Sequence, residues 1–427
     1  MKPKNKGNTW AVVAAGCVLL EAWALYVVGV SPARWRPALV VRNEPAAQAL
    51  YAAMIEAIDN AQSLSYVSVC SRPDDIRICT HKISLKKPDG LCLEATNSPS
   101  AKCATLTTDG TSLWIHWSGD RPSLRVDDAN SYDEERSNVY MRIALTANDS
   151  IQSEIARLGL AWFPPILDPG VFHTGREPLE ACRDGVRSRG TDRIGDEEYD
   201  VIEVSFMRAQ RTRHYWLSRQ DRLPRRIKEI VRTKEIEVTV EEWSDVTVNG
   251  EVPRKALAWT PPEGWRQWDP PDPANSLLTP GQQAPDFDLS GAQRDRIRLS
   301  DSRGKVVWLI VWEVGSPPCR RAMQSLAQLH ERCSHKGLAL LGFNCADDRR
   351  IARDFLRETS IAFPSVLDSS LDAEMVMRKG YGNRLQQVPL NCIIDREGKV
   401  VDAWYGYEEG QARALAAMKK AGLNVEE

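Results

Sequence analysis

The sequence predicts a multidomain chain: an apolar N-terminal helix, an α+β unit built on an antiparallel sheet, and a C-terminal α/β unit. Three observations carry this. Val306 to Trp312 is a run of β-branched and aromatic residues ending at Gly315-Ser316-Pro317-Pro318. Met323, Leu326, Leu329 and Cys333 then recur at helical spacing, so a strand feeds a helix through a tight turn. Between Ser65 and Trp243, short alternating segments separated by turn signals have the pattern of antiparallel hairpins. Trp10 to Val30 is an apolar run of 21 residues, the length of a membrane-spanning helix.

At 427 residues the chain is long enough for two or three domains. A formal charge of −2 and a pI near 6.4 leave no basic excess, which argues against nucleic acid as a partner. A hydrophobic content of 42% supports real cores. Lys2, Lys4 and Lys6 precede the apolar run and favour a cytoplasmic N-terminus. The expected location is therefore the cytoplasmic (inner) membrane, single-pass, with the bulk on the periplasmic side. Val30-Ser31-Pro32-Ala33 is a poor cleavage site, and the run continues well past a lipoprotein-like Ala14-Ala15-Gly16-Cys17, so an uncleaved anchor is favoured. Glu21 is a costly residue at bilayer depth. Of ten cysteines, nine lie beyond the anchor, an odd number that leaves at least one thiol outside any intrachain disulfide.

The domain reading is 1–33 for the tip and anchor, 42–258 for the sheet domain, 259–279 for a Pro/Trp-rich linker and 280–427 for the α/β domain. Glu44 to Asn60 reads as a helix with Leu50, Met54 and Ile58 on one face. Strands are expected at Ser65 to Cys70, Ile76 to Leu85, Leu91 to Ala95, Cys103 to Thr107 and Leu113 to Trp117. A helical stretch at Ile151 to Leu160 follows. The sheet then resumes at Tyr199 to Met207, His214 to Leu217, Arg225 to Arg232 and Glu235 to Trp243.

Asp109-Gly110-Thr111-Ser112-Leu113-Trp114, Glu198-Tyr199-Asp200-Val201-Ile202-Glu203 and His214-Tyr215-Trp216-Leu217 before Leu223-Pro224-Arg225-Arg226 resemble the LolA-like, lipoprotein-carrier superfamily. The resemblance implies a curved antiparallel sheet closing over helices, with a cleft for lipid or lipoprotein. Trp114, Trp117, Trp162, Phe163, Trp216 and Trp243 are candidates to line that cleft, but filling the core is the favoured role for such residues. Cys70, Cys79, Cys92 and Cys103 lie in the first hairpins with His81 beside Cys79. Structural disulfides or buried thiols are favoured there, since the gaps of eight, twelve and ten residues fit no compact zinc pattern. Connectivity, Cys182 included, stays open. Seven prolines and Trp259, Trp265 and Trp268 between Ala258 and Pro285 predict a stiff linker that docks through its tryptophans.

The stretch VVWLIVWEVGSPPCRR (Val306 to Arg321) resembles membrane-anchored thioredoxin-like proteins of the TlpA and redoxin type, in which Cys-Pro-Pro-Cys-Arg forms the redox site. LALLGFNCADD (Leu338 to Asp348) resembles the next strand, and Gln387-Val388-Pro389 before LNCIIDREGKV resembles a cis-proline loop and final hairpin. The resemblance implies a thioredoxin fold over Pro280 to Tyr407, a cis Val388–Pro389 bond, and Val388, Pro389 and Trp312 as substrate-binding residues. No cofactor is implied. Ser316 stands where the family has its attacking cysteine and Gly315 where it has Trp, and a serine hydroxyl cannot attack a disulfide at neutral pH.

Cys319 is the candidate catalytic thiol. The helix N-terminus and the neighbouring Arg320 and Arg321 favour its thiolate, whereas burial opposes it. Ser316 equally suits a helix cap and Pro317 the first helical position. Cys345, on the same sheet edge, is the candidate resolving thiol. Cys333 is 14 residues along the helix, about 21 Å away, and Cys392 belongs to a core strand. Three functions follow. One is a degenerate thiol oxidoreductase acting on protein thiols or disulfides. Another is a redox-inactive binding module. The third is a peroxidase, since Ser316-x-x-Cys319 resembles peroxiredoxin spacing without its preceding proline.

Overall fold

The computed structural model describes residues 43–423 apart from 75, 98–102, 109, 111, 118, 120–136, 145–164, 233–235, 270–271, 293–295 and 385. The apolar run from Trp10 to Val30, Ile151 to Leu160, Trp162 and Phe163 lie outside the described residues. Among those described, no helix is long and apolar enough to cross a membrane.

Helix α1 (Pro45–Asn60) opens with proline in its first turn and buries Ala47, Tyr51, Met54 and Ile58, a single face by their spacing. The strands that follow form two meanders. The first is β1 (Ser63–Ser71), β2 (Arg77–Lys86), β3 (Gly90–Asn97), β4 (Cys103–Thr108), β5 (Ser112–Trp117) and β6 (Val139–Ala144). The second is β7 (Arg183–Ile194), β8 (Glu197–Phe206), β9 (Arg211–Ser218), β10 (Pro224–Arg232) and β11 (Ile236–Val248). Antiparallel pairing of β1 with β11 joins them, and β12 (Arg266–Gln267) adds to β6, giving one sheet of twelve strands. β6 and β7 had no clear strand signal in the sequence.

Alternation along β1 to β5 sends Leu64, Leu85, Leu93, Leu106, Ile115 and Trp117 into one core with the buried face of α1. Trp117 and Trp243 pack in this core, while Trp114 and Trp216 are half-buried outside it. The Pro/Trp-rich stretch is anchored to the sheet: Trp259 stacks on His116 at 4.4 Å, and Trp268 is buried edge-on to Trp117. All nine cysteines among the described residues are thiols. Cys70 and Cys79 are direct cross-strand neighbours, and the His81 ring lies 4.0 Å and 3.4 Å from their sulfurs. Cys92 and Cys103 sit on adjacent strands out of register.

The core also encloses a charged cluster. The fully buried Arg213 on β9 donates to Glu229 on β10 at 2.7 Å and to the equally buried Glu177 at 3.0 Å.

The second sheet has its own cores. Strands β15 (Val306–Val311), β16 (Leu338–Asn344) and β17 (Ser365–Leu367) run parallel. β18 (Leu390–Ile394) and β19 (Val400–Tyr405) complete the order β17-β16-β15-β18-β19, and a small β13 (Asp288–Ser290) and β14 (Arg296–Arg298) ribbon precedes them. β15 is buried at every position, as expected of a strand covered on both faces. One face carries α2 (Pro317–Cys333), α3 (Arg349–Glu358) and α5 (Ala412–Lys420); the other carries the ribbon and α4 (Leu371–Met375). The C-terminal ends of β15 and β16 and the start of β18 share one edge, which places Ser316, Cys345 and Pro389 together there.

Candidate functional site

Ser316 is the N-cap of α2: its Oγ accepts the backbone N–H of Cys319 at 3.4 Å, with Pro317 opening the first turn. Cys319 is therefore in the first turn, as the sequence places it. Its side chain, however, is wholly enclosed among core residues that include Trp312 and Val314. Burial pushes this thiol up to about 12; the Ser316 hydroxyl lowers it, and the Glu313 and Asp347 carboxyls oppose that. Burial thus overrides the helix terminus. Arg320 does not help, because its guanidinium reaches away to the Ala181 carbonyl at 3.3 Å and the Cys182 sulfur at 2.6 Å, in the short turn that leads into β7.

That contact belongs to a wider one. The turn from β8 to β9 has Met207, Arg208 and Ala209 all in the left-handed region (φ 54°, 61° and 61°), a costly run for residues with side chains. It lies against the site. A Cβ at Gly315 would overlap the Met207 sulfur. Gln210 Nε2 donates to Asp347 Oδ1 at 2.6 Å, and Arg208 pairs with Glu358. Glycine at 315 leaves the space that the Met207 side chain occupies. Gly315→Trp is expected to cost about 1–3 kcal/mol by overpacking and to lift the turn away. Hydrogen exchange at residues 207–210 should rise at least tenfold, and unchanged protection would contradict this packing.

Asp347 is the hub of the edge. It accepts Val314 N–H at 2.7 Å, Asn344 Nδ2 at 2.6 Å and the Gln210 amide, yet burial still raises its pKa. The remaining predicted residues divide. Val388–Pro389 is cis, and Val388 lines a cleft of about 340 Å³ together with the half-buried Cys345. Cys345 packs with the core of one sheet face and Cys319 with that of the other, because Cys345 continues the alternation of Leu341 and Phe343. The two sulfurs are not a facing pair. Trp312 has no exposed surface; it packs near Phe355 at 5.5 Å between ring centroids, so it supports the core and cannot touch a substrate. Cys333 and Cys392 are buried packing residues.

Sequence reasoning did not single out Glu313, Asp347, Met207 or Gln210. A carboxylate inside the run Val311-Trp312-Glu313-Val314 was the one local signal. The other three depend on the approach of a distant turn.

Residues 280–403 match the AhpC/TSA family. The chain is 28% identical to the thiol-disulfide oxidoreductase ResA of Bacillus thuringiensis (strain Al Hakam) over 141 residues, 33% of this chain and 77% of that protein. It is 32% identical to ResA of Geobacillus thermodenitrificans over 120 residues, 28% of this chain and 66% of that protein. Among solved structures, a DsbE-type thiol:disulfide interchange protein from Chlorobium tepidum aligns at 27% identity, covering 34% of this chain and 98% of its own, with a TM-score of 0.31. The five-stranded unit is thus an AhpC/TSA-type thioredoxin-like domain whose homologues are thiol–disulfide oxidoreductases.

Proposed function

We propose that the chain is a membrane-tethered, extracytoplasmic protein in which a LolA-like sheet domain (42–258) and a linker (259–279) precede a thioredoxin-like domain (280–427) that works by binding rather than by thiol exchange. The observation that carries this is the state of the one thiol at the helix start. Cys319 is sealed in the core with its pKa pushed up to about 12, the attacking position is Ser316, and the sheet domain's turn covers the approach at Gly315. An exchange reaction needs an accessible thiolate. Lys2, Lys4, Lys6 and the run from Trp10 to Val30 support the tether.

Alkylation of Cys319 in the full chain, followed by peptide mapping from pH 6 to 9, tests the reading. No modification is expected in the native protein and full modification after unfolding. Native alkylation with an apparent pKa below about 8.5 would overturn it. That outcome would favour a second reading, exchange with protein thiols or disulfides after the turn moves aside. The names of the ResA relatives support that second reading.

A further inference from the structure

The cleft of about 340 Å³ at the site edge is built by both domains: Glu237 of β11 faces Glu313, Cys345, Glu374, Arg378 and Val388. Its charges are unevenly satisfied. Glu374 is held by Arg378 at 3.2 Å and by Gln386 at 3.1 Å, which also neutralises the cleft's basic residue. Asp347, behind the cleft, has three donors. Glu313 has none: among the described residues its carboxyl takes part in no hydrogen bond or ion pair, although it is drawn in beside Asp347. Glu313 is half-buried, so this unpaired carboxyl opens on the cleft. The cleft's remaining wall is apolar, from Val311, Met377 and Val388.

We propose that this cleft binds a cationic nitrogen group carried on an apolar stem, a lysine or arginine side chain or a small alkylguanidine or alkylamine, with Glu313 as its counter-ion. The sign follows from the surroundings. Carboxyls at 237, 313, 347 and 374 outnumber the guanidinium of Arg378, so an anion would meet repulsion while a cation supplies the donors Glu313 lacks. An apolar stem fits beside Met377 and Val388, leaving the charged head at Glu313. This names a ligand class for the binding role proposed above and rests on that reading.

Burial and the Asp347 charge raise Glu313 to about 8. Asp347, Glu237, Glu374, Arg378, Cys345 and Cys319 are the ionisable groups around it. A cation requires the carboxylate, so binding releases a proton and tightens as pH rises through that value. Butylguanidinium keeps its charge throughout. Its affinity for the full chain, measured calorimetrically, is expected to rise at least tenfold from pH 6 to 9 if Glu313 alone titrates. In Glu313→Gln the pH dependence should vanish and affinity at pH 9 fall at least tenfold. A capped Gly-Arg-Gly peptide run in parallel separates the sources: tighter peptide binding assigns the cleft to a protein segment, and equal or weaker binding to a free small cation. Absence of butylguanidinium and peptide binding at pH 9, a flat pH profile in the wild type, or unaltered binding by Glu313→Gln would overturn the proposal. Failure here with Cys319 still unreactive leaves the redox-inactive reading in place. Native alkylation of Cys319 would remove that reading and leave the cleft's pH-dependent binding to be judged by itself.

Discussion

Ser316→Cys is expected to give this chain a reactive thiol that it otherwise lacks. Position 316 is half-buried at the helix N-cap, whereas Cys319 one turn on is sealed. A thiol at the N-cap would feel the unpaired N–H groups of the first turn without the desolvation that raises Cys319 to about 12. With an unshifted pKa near 8.5 or lower, the introduced thiol would carry about three orders of magnitude more thiolate at pH 7.5 than Cys319. Iodoacetamide labelling with peptide mapping reads this ratio directly. If the introduced thiol proves as inert as Cys319, the turn at Met207 closes the whole approach and not only the inner sulfur. The same variant, assayed for reduction of a protein disulfide with and without Gly315→Trp, separates two causes of inactivity. Activity in the single variant assigns it to the missing sulfur; activity only in the double variant assigns it to the covering turn.

Arg213→Leu is expected to be the most destabilising single change in the sheet domain. Arg213 and Glu177 are both buried, and Arg213 also holds Glu229, which keeps Arg211 at 3.2 Å as a second partner. Removing the guanidinium leaves Glu177 enclosed with no counter-charge, a loss of about 3–5 kcal/mol at neutral pH. The pH dependence has a definite sign. Burial already raises Glu177 above the ordinary carboxylate value, with Arg213 lowering it. Without Arg213 the native state holds its proton more tightly than the unfolded chain does. Stability therefore falls as pH rises above the unfolded value near 4.3, so the deficit should be smaller at pH 4.5 than at pH 7.5. Denaturant unfolding at the two pH values measures it. A deficit below about 1 kcal/mol at pH 7.5 would mean that the charge cluster is not a structural requirement.

Much of the fold is legible in the sequence because its patterns are local. The helical spacing of Met54 and Ile58, the alternation in β1 to β5, the all-apolar β15 and the Ser-Pro-Pro helix start depend only on near neighbours, although the buried face of α1 is completed by Ala47 and Tyr51 with Leu50 only partly buried at its margin. Each can be read without knowing what lies opposite. β7 could not: Arg183–Ile194 is mostly charged or small and buries little beyond Gly185 and Val186, because it is an edge strand with one neighbour.

The sequence by itself determined that a cysteine stands in the first turn of a helix fed by a buried strand, three residues after the serine that caps it. Tertiary structure decided what that cysteine is. Helix-terminus stabilisation is a local effect that sequence reveals, whereas desolvation depends on every atom packed around the sulfur, and here desolvation prevails. The covering turn, the donors on Asp347 and the isolation of Glu313 likewise arise from segments far apart in the chain, brought together by the packing of two sheets.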